Sequence, residues 1–201
     1  IPVDTDMIEG ARLFLANVPA GASVEQKVDL SALHPGMKGR VDVTEGASDT
    51  LVMMEYKYGH KAVEVCGNAQ LLVSMFPLLQ PHHKFVKFVV VQPRCYTESG
   101  PVREWTFEAS KYASTYLPNI RKAIAEAQLA SPPVNTGTQC GICPARHACK
   151  NLADVSMSIV DMSAGASTLS IPDDALGREL LLLEDAADRI KARITGLQEQ
   201  A

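Results

Sequence analysis

Residues Phe85 to Gln92 (FVKFVVVQ) form a near-continuous run of β-branched and aromatic side chains. A run of this kind marks a strand buried on both faces, so it demands one layer of structure above it and another below. At 201 residues and 46% hydrophobic content, the chain can supply the core of one such domain. Both this run and Leu180 to Leu183 are far shorter than the roughly 20 apolar residues that cross a bilayer, so no membrane partner is expected.

Periodic patterns on either side supply the other elements. Asp6 to Val18 places Ile8, Ala11, Leu13, Leu15 and Val18 near helical spacing, and Pro19 and Gly21 stop it. Ser23 to Leu30 alternates Val24, Gln26 and Val28 with polar neighbours. Gly39 to Thr44 and Thr50 to Tyr58 continue as strands across the turn-rich Glu45 to Asp49. Glu64 to Leu79 reads as a helix that Pro77 and Pro81 bend or end. Val102 to Phe107 reads as a fifth strand, and Glu108 to Leu129 as amphipathic helix, kinked or restarted at Pro118. After a loop around Pro132 and Pro133 come the cysteine segment and, over Asp173 to Gln200, a charged helix. Its mixed acids and bases mark a solvated face or a partner-binding one.

The expected fold is therefore α/β: a central mixed sheet of about five strands flanked by helices, with a C-terminal Cys-rich segment and helix. The expected divisions are a core over residues 1–130, a cysteine segment over 131–155 and a helical extension over 156–201.

A net charge of −4 argues against a protein that coats nucleic acid with a basic surface, yet leaves room for carboxylates that hold a metal ion near DNA. Lys84, Lys87, Arg94, Arg103, Lys111 and Arg121 could line a DNA channel, but they are no denser than ordinary surface charge. Three of five cysteines fall between Cys140 and Cys149 with no secretory signal, which suits a reducing cytoplasm and metal ligation better than disulfides. Ile1 is not an initiator Met, so residue 1 is expected to lie inside a longer protein.

Glu55 and Lys57 stand two apart on an expected strand and leave the same face as Leu51 and Met53, whereas Tyr56 leaves the other. Asp42, across the hairpin, can converge on the same place. Paired carboxylates suit a hard cation such as Mg²⁺ or Mn²⁺, which bridges to phosphate oxygens. A neighbouring ammonium can orient or help deprotonate an attacking water and balance transition-state charge. Gln70, on the following helix, can reach a phosphate or that water. Glu25, on the preceding strand, is a candidate third metal ligand whose plainer reading is an exposed strand carboxylate. The plainer reading of the whole set is a surface hairpin with solvated charges or a weak cross-strand ion pair.

Gly39-Arg40-Val41-Asp42, Met54-Glu55-Tyr56-Lys57-Tyr58-Gly59 and Asn68-Ala69-Gln70-Leu71 together resemble the PD-(D/E)xK nuclease superfamily, in its RecB-type branch, over most of Ile1 to Lys150. The similarity is greatest to phage and prophage exonuclease-like proteins, in which a Gln-Pro-Arg, here Gln92-Pro93-Arg94, ends a later strand. The resemblance implies a restriction-endonuclease-like core, metal binding by Asp42 and Glu55, catalysis by Lys57 and support from Gln70. It further implies hydrolysis of DNA phosphodiester bonds, exonucleolytic rather than endonucleolytic, with a phage recombination or replication protein as a further partner. Ser74 departs from the pattern, standing where many RecB-type proteins carry a Tyr one helical turn after the Gln. The alternative is a catalytically inactive DNA-binding or assembly protein on the same fold.

Cys140, Cys143 and Cys149 form Cys-x2-Cys-x5-Cys, with Gly141 and Pro144 shaping the loop. Zinc would want a fourth ligand, which His147 could supply, and a [4Fe-4S] cluster would want a fourth Cys. The spacing resembles that of iron–sulfur RecB-type nucleases, whose fourth Cys precedes the nuclease core. That resemblance favours [4Fe-4S] over Zn²⁺, with the fourth ligand ahead of residue 1, since no Cys precedes Cys66. Cys66 and Cys95 read as buried small residues, and His82 and His83 as a solvated loop pair.

Overall fold

The computed structural model describes residues 2–163 and 173–200, which fall into two compact units, Ile1–Ala130 and Ser131–Ala201. The cysteine segment and the helices after it thus share one unit.

In the first unit, Asp4 caps α1 (Thr5–Asn17) by accepting the Met7 N–H at 2.8 Å. The strands β1 (Ser23–Asp29), β2 (Lys38–Glu45), β3 (Thr50–Tyr56), β4 (Phe85–Val91) and β5 (Val102–Glu108) make one sheet in sequence order. β3 and β4 run parallel and the other neighbours antiparallel, so the sheet is mixed. Lys57 N donates to Val91 O at 2.9 Å, which carries the parallel pairing one residue beyond β3.

β4 divides two cores, as its sequence requires. Val86, Phe88 and Val90 face a core shared with Leu51, Met53, Leu71 and Met75, while Val89 and Val91 face one shared with Val43 and Met54. The first is covered by α2 (Ala69–Ser74), a π-helical turn (Tyr112–Tyr116) and α3 (Leu117–Ala127). The second is covered by Leu13 and Phe14 of α1. The chain is an α/β protein whose five-stranded mixed sheet is flanked by helices.

Three local expectations need correction. The helix expected over Glu64 to Leu79 is only α2, because Gly67 sits at φ +65° and Asn68 then caps a new start by accepting the Leu71 N–H at 3.1 Å. His83 is buried rather than solvated: its Nδ1 accepts from Gln80 N at 2.9 Å and its Nε2 lies 3.0 Å from Gly46 O, fixing the β2–β3 turn. Cys66 is exposed, whereas Cys95 is buried as expected. The break near Pro118 does occur, as the π-helical turn that Leu117 N closes onto Tyr112 O. Pro118 has no N–H to return to Ser114 O, so the wider turn ahead of it leaves a bond of the regular ladder unformed.

In the second unit, a 3₁₀ turn (Thr138–Ile142) precedes α4 (Lys150–Ser163) and α5 (Asp173–Gln198). Cys140, Leu152 and Ala192 form its small core, with Cys149 against it. No described helix is long and apolar enough to cross a membrane.

Candidate functional site

The site lies where β2 and β3 part company. Val41 belongs to the first core and Val43 to the second, although residues two apart in a regular strand share a face. The alternation therefore inverts at Asp42. On the neighbouring strand the pairing passes from Val24↔Val43 to Gln26↔Val41 around Glu25, whose φ of +50° is the one positive value at a non-glycine among the described residues. Such a backbone is strained for a residue with a Cβ, and strain of this kind gathers at functional sites.

The inversion turns the Asp42 carboxylate towards the end of β3, where its Oδ2 accepts the Tyr56 N–H at 2.7 Å. Glu55 is 5% exposed. Its Oε1 accepts from Lys57 Nζ at 2.6 Å and from Gln70 Nε2 at 2.7 Å, and Lys57 Nζ also donates to Gln70 Oε1 at 3.0 Å. Carboxylate, ammonium and amide thus close a three-membered ring of hydrogen bonds between β3 and α2. The Glu55 Oε2 atom is buried with no hydrogen-bond partner among the described residues. An anionic oxygen left so costs about 1–3 kcal/mol or more in an ordinary core.

A buried ion pair is also weak evidence of stabilisation, because apolar replacements are often as stable or more so. The ring at a sheet end, with one carboxylate oxygen buried and unpaired, is therefore the candidate site. A cation beside Glu55 Oε2 would satisfy that oxygen, and the half-buried Asp42, one residue past the last β2–β3 pair, is the acid the neighbouring strand offers there. The donor set fits Mg²⁺ or Mn²⁺, which keep several waters and need only one or two carboxylates.

Glu25 lines an open pocket of about 520 Å³ together with Asp42, Tyr56, Phe14 and Leu15. Its own carboxylate, however, pairs with Arg40 Nη1 at 2.8 Å in an exposed position. Among the described residues no three His, Cys, Asp or Glu side chains are grouped to hold a metal ion. The structure thus joins Glu55, Lys57 and Gln70 directly, sets Asp42 beside them through Tyr56, and leaves Glu25 on the pocket wall. Burial of the Tyr56 phenol, with Tyr58 adding to it, raises its pKa above the ordinary value.

Gln92 is a contributor that the Gln-Pro-Arg motif marks by position but not by role. Fully buried at the end of β4, it uses its whole amide. Nε2 donates to Gly59 O at 2.7 Å and Lys61 O at 2.8 Å, and Oε1 accepts from Val63 N at 3.1 Å and Arg103 Nη2 at 2.6 Å. The loop that follows Lys57 is thereby pinned to the sheet. An amide closing an otherwise apolar run is the visible sign of it. Nearby, Arg94 lies 4.9 Å from the Tyr58 ring centre, whereas Lys84 and Lys87 are engaged by Asp49 and Glu104.

The cysteines behave differently. Cys140 is buried, its sulfur accepts the Gly137 N–H at 3.4 Å, and it packs with Leu152, Ala192 and Cys149. Cys143 stands outside that cluster. This arrangement does not present three converging thiols.

No curated protein matches the chain. The sequence model of one family covers residues 11–199, nearly the whole length, and by that match the chain belongs to the family described as Protein of unknown function (DUF2800).

Proposed function

We propose that this chain is a metal-dependent deoxyribonuclease on a restriction-endonuclease-like core, hydrolysing DNA phosphodiester bonds as a phage-type exonuclease in a cytoplasm. The observation that carries the reading is the buried, unpartnered Glu55 Oε2 within the Glu55–Lys57–Gln70 ring. Asp42 and Glu55 would hold Mg²⁺ or Mn²⁺, which when bound supplies Lewis-acid polarisation of a phosphate oxygen.

The chain's own groups account for the rest. Asp42 is held in place by the Tyr56 amide, and Gln70 keeps Glu55 and Lys57 in register. Lys57, its side chain about a quarter exposed, can turn one Nζ N–H towards an incoming phosphate and balance the negative charge that builds as a water oxygen bonds to phosphorus and the ester P–O bond breaks. The water's proton must leave as that bond forms, and the departing sugar oxygen must gain one. An amine held against a carboxylate can take part in such a transfer. The [4Fe-4S] cluster suggested by the cysteine spacing does not fit the thiols as they are packed, and no step runs through it.

Digestion of linear and circular DNA with Mg²⁺ or Mn²⁺ tests the reading. The wild-type chain should degrade linear DNA, and Asp42→Asn and Lys57→Ala should each lose at least about a hundredfold in rate, within the range typical of a removed catalytic group. Binding without cleavage, or mutants as active as wild type, would leave the DNA-binding or assembly role in its place.

A further inference from the structure

α5 has two apolar faces of unequal size, and the smaller one is turned to its own unit. Ala192 packs with Cys140 and Leu152, and a Cβ on Gly196 would come within 2.7 Å of Arg146 Cγ. Arg193 Nη1 donates to the carbonyls of Arg146 and His147. The large side chains lie elsewhere. Leu180, Leu183, Ile194 and Leu197 are 56, 54, 50 and 49% exposed, Ala187 is exposed and Ile190 is half-buried.

These six positions are spaced 3, 4, 3, 4 and 3 residues apart. That is the 3.5-residue repeat of a coiled-coil seam. Leu180, Ala187 and Ile194 take its a positions and Leu183, Ile190 and Leu197 its d positions. Of the residues docked on the unit, Ala192 and Gly196 fall on the back of the heptad at f and c, and Arg193 on its flank at g. A helix that docks its small residues and presents its leucine seam to water has its main apolar face without a partner among the described residues. The seam runs about 27 Å at 1.5 Å per residue.

We propose that this seam pairs antiparallel with the same seam of a second copy of the chain. Its flanking charges choose the direction. Glu179 holds a g position, and Glu184 and Lys191 hold successive e positions. In an antiparallel pair Leu180 meets the partner's Leu197, Leu183 meets the partner's Ile194 and Ala187 meets the partner's Ile190. The e positions then face each other, so Glu184 meets the partner's Lys191, and two-fold symmetry makes that contact twice. In a parallel pair each g faces the next e, which would set Glu179 against the partner's Glu184, also twice. The same surface is thus self-complementary in one direction and self-repelling in the other. Leu181 and Leu182 stand at b and c and take no part.

Sedimentation equilibrium of the 201-residue chain at low salt, from low to hundreds of micromolar, tests this. A monomer–dimer equilibrium is expected. Glu184→Lys and Lys191→Glu should each weaken it roughly tenfold, and the double exchange should restore it. Leu183→Asp should abolish the dimer while circular dichroism stays unchanged, since the side chain is exposed. A chain that stays monomeric throughout, a dimer indifferent to Leu183→Asp, or a double exchange that fails to rescue overturns the proposal. A Glu184→Lys variant that dimerises more tightly overturns it too, in favour of parallel pairing.

Discussion

Asp42 Oδ2 accepts the Tyr56 N–H at 2.7 Å, so a side-chain carboxylate stands where the β2–β3 ladder, last paired at Val43↔Met54, runs out. One oxygen of Asp42 serves the fold, and in the proposed function the other would meet the metal ion. The two duties separate by mutation.

Asp42→Asn keeps an acceptor for the Tyr56 amide and should cost under about 1 kcal/mol, whereas Asp42→Ala leaves a half-buried N–H unpaired and should cost about 1–3 kcal/mol. Both should abolish cleavage. Urea unfolding beside a DNA-digestion assay reads the two effects, and equal stability of the variants would show that the Tyr56 bond contributes nothing.

Glu55 and Lys57 are coupled through Oε1 and Gln70, so their substitutions should not add. Lys57→Met alone strands a buried carboxylate and should destabilise by about 1–3 kcal/mol. Glu55→Gln with Lys57→Met should cost less than the two single changes together. Mn²⁺ should raise the melting temperature of the wild type and leave that of Glu55→Gln unmoved, because a ligand stabilises only the form it binds. A wild type indifferent to Mn²⁺ and Mg²⁺ removes the metal site.

Much of this was legible in the sequence where local pattern and tertiary environment agree. The FVKFVVV run could only be a strand covered on both faces, and Glu55 and Lys57, two apart, had to leave the face of Leu51 and Met53. The meeting of Asp42 with Tyr56 N was not legible, since it depends on strands that turn over at Glu25 and Asp42. Glutamate gives no signal for positive φ, as glycine or asparagine would. His83 misled because two histidines between prolines look solvated until the Gly46 carbonyl arrives from another part of the chain. The shortness of α2 was written in Gly67 and Asn68, but the apolar spacing continued past those signals.

Tyr112 gives the fold a dependence on alkaline pH. Burial pushes its phenol up to about 12, against a smaller opposing effect of Arg121. The raised value means the folded state keeps its proton longer than the unfolded chain. This contribution is intact below pH about 10 and is lost as the pH rises towards 12, by up to about 1.4 kcal/mol per unit. The hydroxyl is buried without a partner among the described residues, so Tyr112→Phe should be as stable as wild type at pH 7 or slightly more so, and should flatten the alkaline decline. Unfolding free energies at neutral pH and across pH 9 to 12 check both expectations. A phenylalanine variant that falls as steeply as wild type assigns the decline to another group.

The cysteines should react in an order set by packing. Cys66 is exposed, Cys143 and Cys149 are partly covered, and Cys95 and Cys140 are buried, the last beneath Leu152 and Ala192. Because the attacking species must reach the sulfur, a thiol reagent should modify Cys66 first, Cys143 and Cys149 next, and Cys95 and Cys140 only on unfolding. Ligation of a cluster or zinc by Cys140, Cys143 and Cys149 would produce a different pattern. All three would be protected together, and a chelator or acid would release them together, since the ligating form is the deprotonated thiolate in every case. Mass-resolved labelling of the native protein, with iron, sulfide and zinc measured on the same sample, distinguishes the two. Unequal labelling of Cys143 and Cys140 without stoichiometric metal means that the triplet builds an apolar core, and joint protection with bound iron means that the packing rearranges around a cluster.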